Sequence, residues 1–126
     1  MSSKRILLID DEQDIQHLTR ISLKCEANWE LLSALSGREG ITIAETQQPD
    51  AILLDVMMPD LDGLATLELL KANPKLKTIP VIFLTAKAQA SDRRRFYTAG
   101  VQGVITKPFD TLTLASQIAG FVGWEI

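Results

Sequence analysis

The sequence predicts an α/β domain: a five-stranded parallel sheet, doubly wound, with helices on both faces. Three observations predict it. Short apolar runs alternate with stretches of helical periodicity five times along the 126 residues. The clearest runs are apolar throughout, as strands buried on both faces require. Polar and charged residues follow four of the runs directly, where sites form in such sheets.

The elements can be justified in order. Ile6-Leu7-Leu8-Ile9 is the first strand. Ile15, Leu18, Ile21, Ser22 and Cys25 then recur at helical spacing, which places Cys25 on the buried face of the first helix. Residues 30–35 form a weaker strand. Ser36 can cap a helix running through Ile41 and Ala44 to about Gln47, and Pro49 breaks it. Ala51-Ile52-Leu53-Leu54 is the third strand, and Leu64, Leu67 and Leu70 line the helix after it. Pro80 opens the strand Val81-Ile82-Phe83-Leu84. A short helix covers residues 91–99, and Gly100 ends it. Val104-Ile105-Thr106 is the fifth strand, and Leu112, Ala115, Ile118, Ala119 and Val122 mark the last helix. Sequential right-handed crossovers make the sheet parallel and cover both its faces.

Composition narrows the function. The length suits one domain spanning residues 1–126, large enough for a real core. Thirteen basic and sixteen acidic residues leave a net charge of −3, so no global basic field attracts nucleic acid. A lone Cys25 excludes an internal disulfide. Lys4-Arg5 precede only four apolar residues before Asp10, which does not read as a signal peptide, and no run suits a membrane span. The expectation is a cytoplasmic protein with no membrane insertion.

The chemistry gathers at the strand ends. The first strand leads into Asp10-Asp11-Glu12, the third into Asp55, the fourth into Thr85-Ala86 and the fifth into Thr106-Lys107-Pro108-Phe109. Clustered carboxylates repel and bind protons more tightly unless a cation intervenes. An all-oxygen donor set suits Mg2+, which keeps waters and bridges to phosphate. Lys107 can pair with Asp55 or with a phosphoryl oxygen, and Thr85 offers a hydroxyl to another. A carboxylate nucleophile, a metal and two oxygen-binding groups are what acyl-phosphate formation requires.

Asp10-Asp11, Asp55-Val56-Met57-Met58-Pro59-Asp60-Leu61-Asp62-Gly63, Thr85-Ala86 and Lys107-Pro108-Phe109 together resemble the receiver-domain signature of two-component response regulators. The resemblance implies a flavodoxin-like (β/α)5 fold with strand order 2-1-3-4-5. It implies that Asp55 accepts a phosphoryl group from a sensor histidine kinase or histidine phosphotransfer protein. By the same resemblance, Asp11, Asp55 and the Met57 carbonyl would ligate Mg2+, and Asp10 would hold it through water. Thr85 and Lys107 would contact the phosphoryl group, and the Lys107–Pro108 peptide would be cis. Output would be a phosphorylation-dependent contact with a downstream protein, without conventional enzymatic turnover. Side chains two positions beyond the phosphoacceptor and the threonine, here Met57 and Lys87, influence hydrolysis in the family; both are bulky and imply a long-lived phosphoryl group. The sequence departs from the family at Val104, where an aromatic residue is usual, so output should run through the loop after Thr85.

Other readings compete. A haloacid-dehalogenase-type phosphatase would pair Asp10 with Glu12 but places Asp14 where a small hydroxyl residue belongs. A flavin-binding flavodoxin needs a phosphate loop where this chain has acids. A receiver-shaped scaffold that is never phosphorylated is the serious alternative. Arg93-Arg94-Arg95 reads as a solvated face or a docking site, Trp29 and Trp124 as edge packing, His17 as a surface residue, and residues 121–126 as helix burial or a partner's patch. No output domain follows Ile126 in this sequence, which suits a stand-alone regulator or a piece of a larger one.

Overall fold

The computed structural model describes residues 3–86 and 88–125. Five strands and five helices alternate: β1 (Arg5–Ile9), α1 (Gln13–Ala27), β2 (Glu30–Ala34), α2 (Gly37–Gln47), β3 (Ala51–Leu54), α3 (Gly63–Ala72), β4 (Val81–Thr85), α4 (Ala90–Ala99), β5 (Gly103–Thr106) and α5 (Leu114–Val122). The sheet is parallel, in the order β2-β1-β3-β4-β5. Chain order reverses beside β1, so the carboxyl ends of β1 and β3 flank the crevice of this topology.

Period-two alternation splits the core into two layers. Leu7, Ile9, Ile52, Leu54 and Phe83 face the helices α2, α3 and α4, meeting Ala44, Leu67, Leu70 and Phe96. Ile6, Leu8, Leu53, Ile82, Leu84 and Ile105 face the other way, onto Leu23 of α1 and Leu114, Ala115, Ile118 and Ala119 of α5. Trp29 closes the second layer, with Trp124 edge-on at 5.5 Å and the Lys4 ammonium over the Trp124 ring. Ser36 caps α2 as its position suggests, accepting from Glu39 N at 3.1 Å. Gly100 ends α4 at φ 110°.

Two sequence expectations are corrected. The predicted stripe of α1 faces the core only in part: Ile15 packs against it and Ser22 is buried, but Leu18 and Ile21 are 43% and 62% exposed, and Cys25 is exposed. Gln16, Thr19 and Leu23, outside that stripe, are buried along with Ser22. The polar members of that face are tolerated because each finds a backbone acceptor. Gln16 Nε2 donates to carbonyls of β1 and β2, Thr19 Oγ1 to Ile15 O, and Ser22 Oγ to Thr111 O. Leu112 does not belong to the last helix and is 80% exposed. Asp110 accepts from Leu112 N at 2.8 Å and its carbonyl accepts from Thr113 N, forming a turn that delays α5 until Leu114.

Among the described residues, no helix is long and apolar enough to cross a membrane.

Candidate functional site

The ladder runs one residue past three of the strands, and this fixes the backbone of the site. Asp10 N donates to Ala34 O, Asp55 N to Ile9 O at 2.9 Å, and Lys107 N to Thr85 O at 2.9 Å. Beyond Asp55 the chain turns sharply, and Gly63 N returns to Val56 O. A Cβ on Gly63 would stand 2.4 Å from Asp55 O and 2.6 Å from Val56 Cα, so glycine permits this close approach. Asp62 then caps α3, accepting from Ala65 N at 2.9 Å.

Asp10, Asp11, Asp55 and Lys107 converge at the carboxyl ends of the strands. Asp10, Asp55 and Thr85 are buried, and Asp11 is exposed. Asp10, Asp11 and Asp55 each offer a carboxylate oxygen, all within 4.8 Å of one another. Lys107 Nζ lies 2.7 Å from Asp10 Oδ2, 3.0 Å from Glu12 Oε1 and 3.5 Å from Asp55 Oδ2. Lysine therefore pairs most closely with Asp10, not with Asp55. Glu12 is a partner that sequence reasoning missed, although it stands in the same acidic run. The Lys107–Pro108 peptide is cis, as the resemblance implied. Met57 N donates to Asp55 Oδ1 at 3.2 Å, and its side chain is 62% exposed. Lys87 lies outside the described residues.

Burial sets the electrostatics. It pushes the Asp55 carboxyl up to about 6, helped by the negative charge of Asp10 and opposed by Lys107 and the Met57 N–H. Asp10 is also raised, again chiefly by burial, against its bonds to Lys107 and Glu12 N. Burial alone would lower Lys107. Its hydrogen bonds to Asp10 and Glu12, with the charges of Asp10 and Asp55, outweigh that and hold it above the ordinary value. One ammonium thus compensates several acids. Asp10 Oδ2 faces Lys107 and has no second partner among the described residues. An all-oxygen, under-compensated anionic cluster fits a hard divalent cation.

A sequence profile described as the response regulator receiver domain matches residues 6–119. The chain belongs to the response regulator receiver domain family. This receiver domain is 35% identical over 114 residues to the DNA-binding dual master transcriptional regulator RpaA of Synechocystis, covering 90% of this chain and 47% of that protein. It spans about half the length, or less, of the first curated relatives it matches. The chemotaxis protein CheY4 of Vibrio cholerae superposes with a TM-score of 0.87 at 25% identity, covering 95% of this chain and 99% of that one. A signal receiver domain of a signal transduction histidine kinase from Syntrophus aciditrophicus gives 0.80 at 34% identity, covering 96% and 91%. These relatives are named as a regulator, a chemotaxis protein and a receiver domain.

The remaining motifs fall around this centre. Arg93 is not a free cation on a solvated face: its Nε donates to Ala88 O at 3.1 Å and ties α4 to the β4–α4 loop. Arg94 and Arg95 are exposed. Arg95 lines an open cleft of about 500 Å3 with Val56, Met57, Met58, Asp62 and Leu64. Val104 is buried beneath α4, in the layer that holds Phe83 and Phe96.

Proposed function

We propose that this receiver domain accepts a phosphoryl group onto Asp55 from a phosphohistidine donor, in a Mg2+-dependent reaction, and signals through phosphorylation-dependent protein contact. The observation that carries the reading is the convergence of Asp10, Asp11 and Asp55 beneath a lysine that reaches two of them. An Asp55 oxygen attacks phosphorus, the P–N bond breaks with its electron pair going to the imidazole nitrogen, and the imidazole takes up a proton from solvent, leaving an acyl phosphate and a neutral histidine. Near neutral pH the Asp55 carboxyl, at about 6, is mostly ionised and competent as a nucleophile. Lys107, which contacts Asp10 and Asp55, would exchange these for a phosphoryl oxygen, and Thr85 at the end of β4 would bind another. A bound Mg2+ would be held by Asp11, Asp55 and the Met57 carbonyl, with Asp10 acting through water, and would offset the charge that builds on the transferring group.

The donor is a histidine kinase or a histidine phosphotransfer protein. The exposed Leu18 and Ile21 of α1, and Leu112 on the loop that Ser22 Oγ binds through Thr111 O, offer apolar surface for its contact. The downstream partner is a protein, and the domain is not a turnover enzyme. Cytoplasmic residence follows from the two-component reading. Met57 beside the acceptor favours a long-lived phosphoryl group, because a thioether holds an attacking water poorly.

Incubation with a small phosphodonor and Mg2+, followed by intact-mass measurement, tests the reading. It expects one phosphoryl adduct, lost in Asp55→Asn and absent under chelator. An unphosphorylated scaffold gives no adduct, and a phosphatase gives steady phosphate release instead.

A further inference from the structure

Three backbone carbonyls at the carboxyl ends of β1 and β2 converge on one buried side chain. Gln16 Nε2 lies 3.1 Å from Leu8 O, 3.1 Å from Asp10 O and 3.0 Å from Ala34 O. Gln16 itself is 5% exposed, and its Oε1 is buried with no partner among the described residues. The reverse amide orientation would set Oε1 against three acceptors, so the carbonyls fix which end faces them. An apolar side chain of similar length would fill the same space without a stranded acceptor, and Gln16 is therefore not explained by packing.

What the amide holds accounts for it. Asp10 O belongs to the peptide that joins Asp10 to Asp11, two of the three clustered acids. Asp10 N already donates to Ala34 O. Gln16 brings Asp10 O to the same β2 carbonyl, so both backbone groups of Asp10 are tied to the end of β2. The fixed backbone leaves Asp10 Oδ1 to accept from Glu12 N and Oδ2 to meet Lys107. We propose that Gln16 is a positioning residue whose side-chain amide holds the Asp10–Asp11 peptide so that both carboxylates face Asp55 and share a divalent cation. The cation rests on the function proposed above; the hold on the peptide does not.

Gln16→Met removes both donors and the stranded acceptor while keeping a buried chain of similar length. Thr19→Val is the matched control: Thr19 is buried on the same helix, and its hydroxyl bonds within that helix, to Ile15 O. Two readouts apply to parent and variants: amide hydrogen exchange at Asp11 and Glu12 without metal, and Mg2+ affinity by calorimetry. Gln16→Met should speed exchange at those amides and weaken Mg2+ binding about tenfold. Thr19→Val should alter thermal stability alone. Unchanged exchange in Gln16→Met, or an equal change in Thr19→Val, overturns the proposal. A parent that binds no Mg2+ refutes the metal assignment, and the exchange comparison then decides the role of Gln16 by itself. Gln16→Leu replaces Gln16→Met if the latter does not fold.

Discussion

Asp55 and Lys107 both lower stability as pH rises, in separate windows. A folded Asp55 at about 6 binds its proton more tightly than an unfolded chain, where Asp titrates near ~3.9. Below both values the carboxyl is neutral in both states and costs nothing. As pH rises past ~3.9 toward about 6, its ionisation increasingly opposes folding. Asp10, also raised, acts in the same sense. Lys107 is raised too, but it is a base: its stabilisation is fully present below the unfolded value of ~10.4 and is lost as pH climbs through the folded one. Metal-free protein should therefore lose on the order of 2 kcal/mol of stability between about pH 4 and pH 7 through Asp55. Denaturant melts in chelator at the two pH values check this. Asp55→Asn removes the buried charge and should melt a few degrees higher near pH 7; an unchanged or lower Tm contradicts the electrostatic account. Lys107→Met leaves Asp10 and Asp55 uncompensated and should destabilise by about 3 kcal/mol near neutral pH, and by less in acid.

At the scale of elements, helix ends are held by neighbours as much as by their own sequence. Glu26 of α1 accepts from Ala115 N at 2.7 Å and Ser116 N at 3.0 Å, and so caps α5 from another helix. Glu26→Ala should cost about 1 kcal/mol, read by urea denaturation, with the amides of Ala115 and Ser116 exchanging faster. At the start of α3, Gly63→Ala drives a methyl group into the Asp55–Val56 backbone and should cost about 2 kcal/mol by the same measurement. The strands were legible because β1, β3 and β4 are buried on both faces and therefore continuously apolar. The orientation of α1 was not. Periodicity records which side chains are apolar, whereas Gln16 and Ser22 are buried by virtue of acceptors that lie elsewhere in the chain, and Thr19 bonds back to Ile15 O within α1. The Asp110 turn, a local bond to Leu112 N, shifted the start of α5 in the same way.

At the scale of the molecule, the site was legible because each component follows a strand that the apolar pattern had located. Glu12 was overlooked because one carboxylate in an acidic run carries no mark of which one the lysine reaches. Signal output is a property of the whole fold. Val104 is buried and short, with few rotamers, and cannot report by swinging a ring. Output is expected to run through α4 instead, of which only Phe96 is buried and which Arg93 joins to Ala88 O. Phosphorylation-induced NMR shifts should concentrate in residues 85–96; shifts centred on Val104 and spread along β5 would contradict this route. All of it depends on Asp55 receiving the phosphoryl group. The most direct test is peptide mapping by mass spectrometry after incubation with a small phosphodonor and Mg2+. The account predicts a single acyl phosphate on Asp55, absent in chelator and in Asp55→Asn; a phosphoryl group on another residue, or one that forms equally without metal, would contradict it.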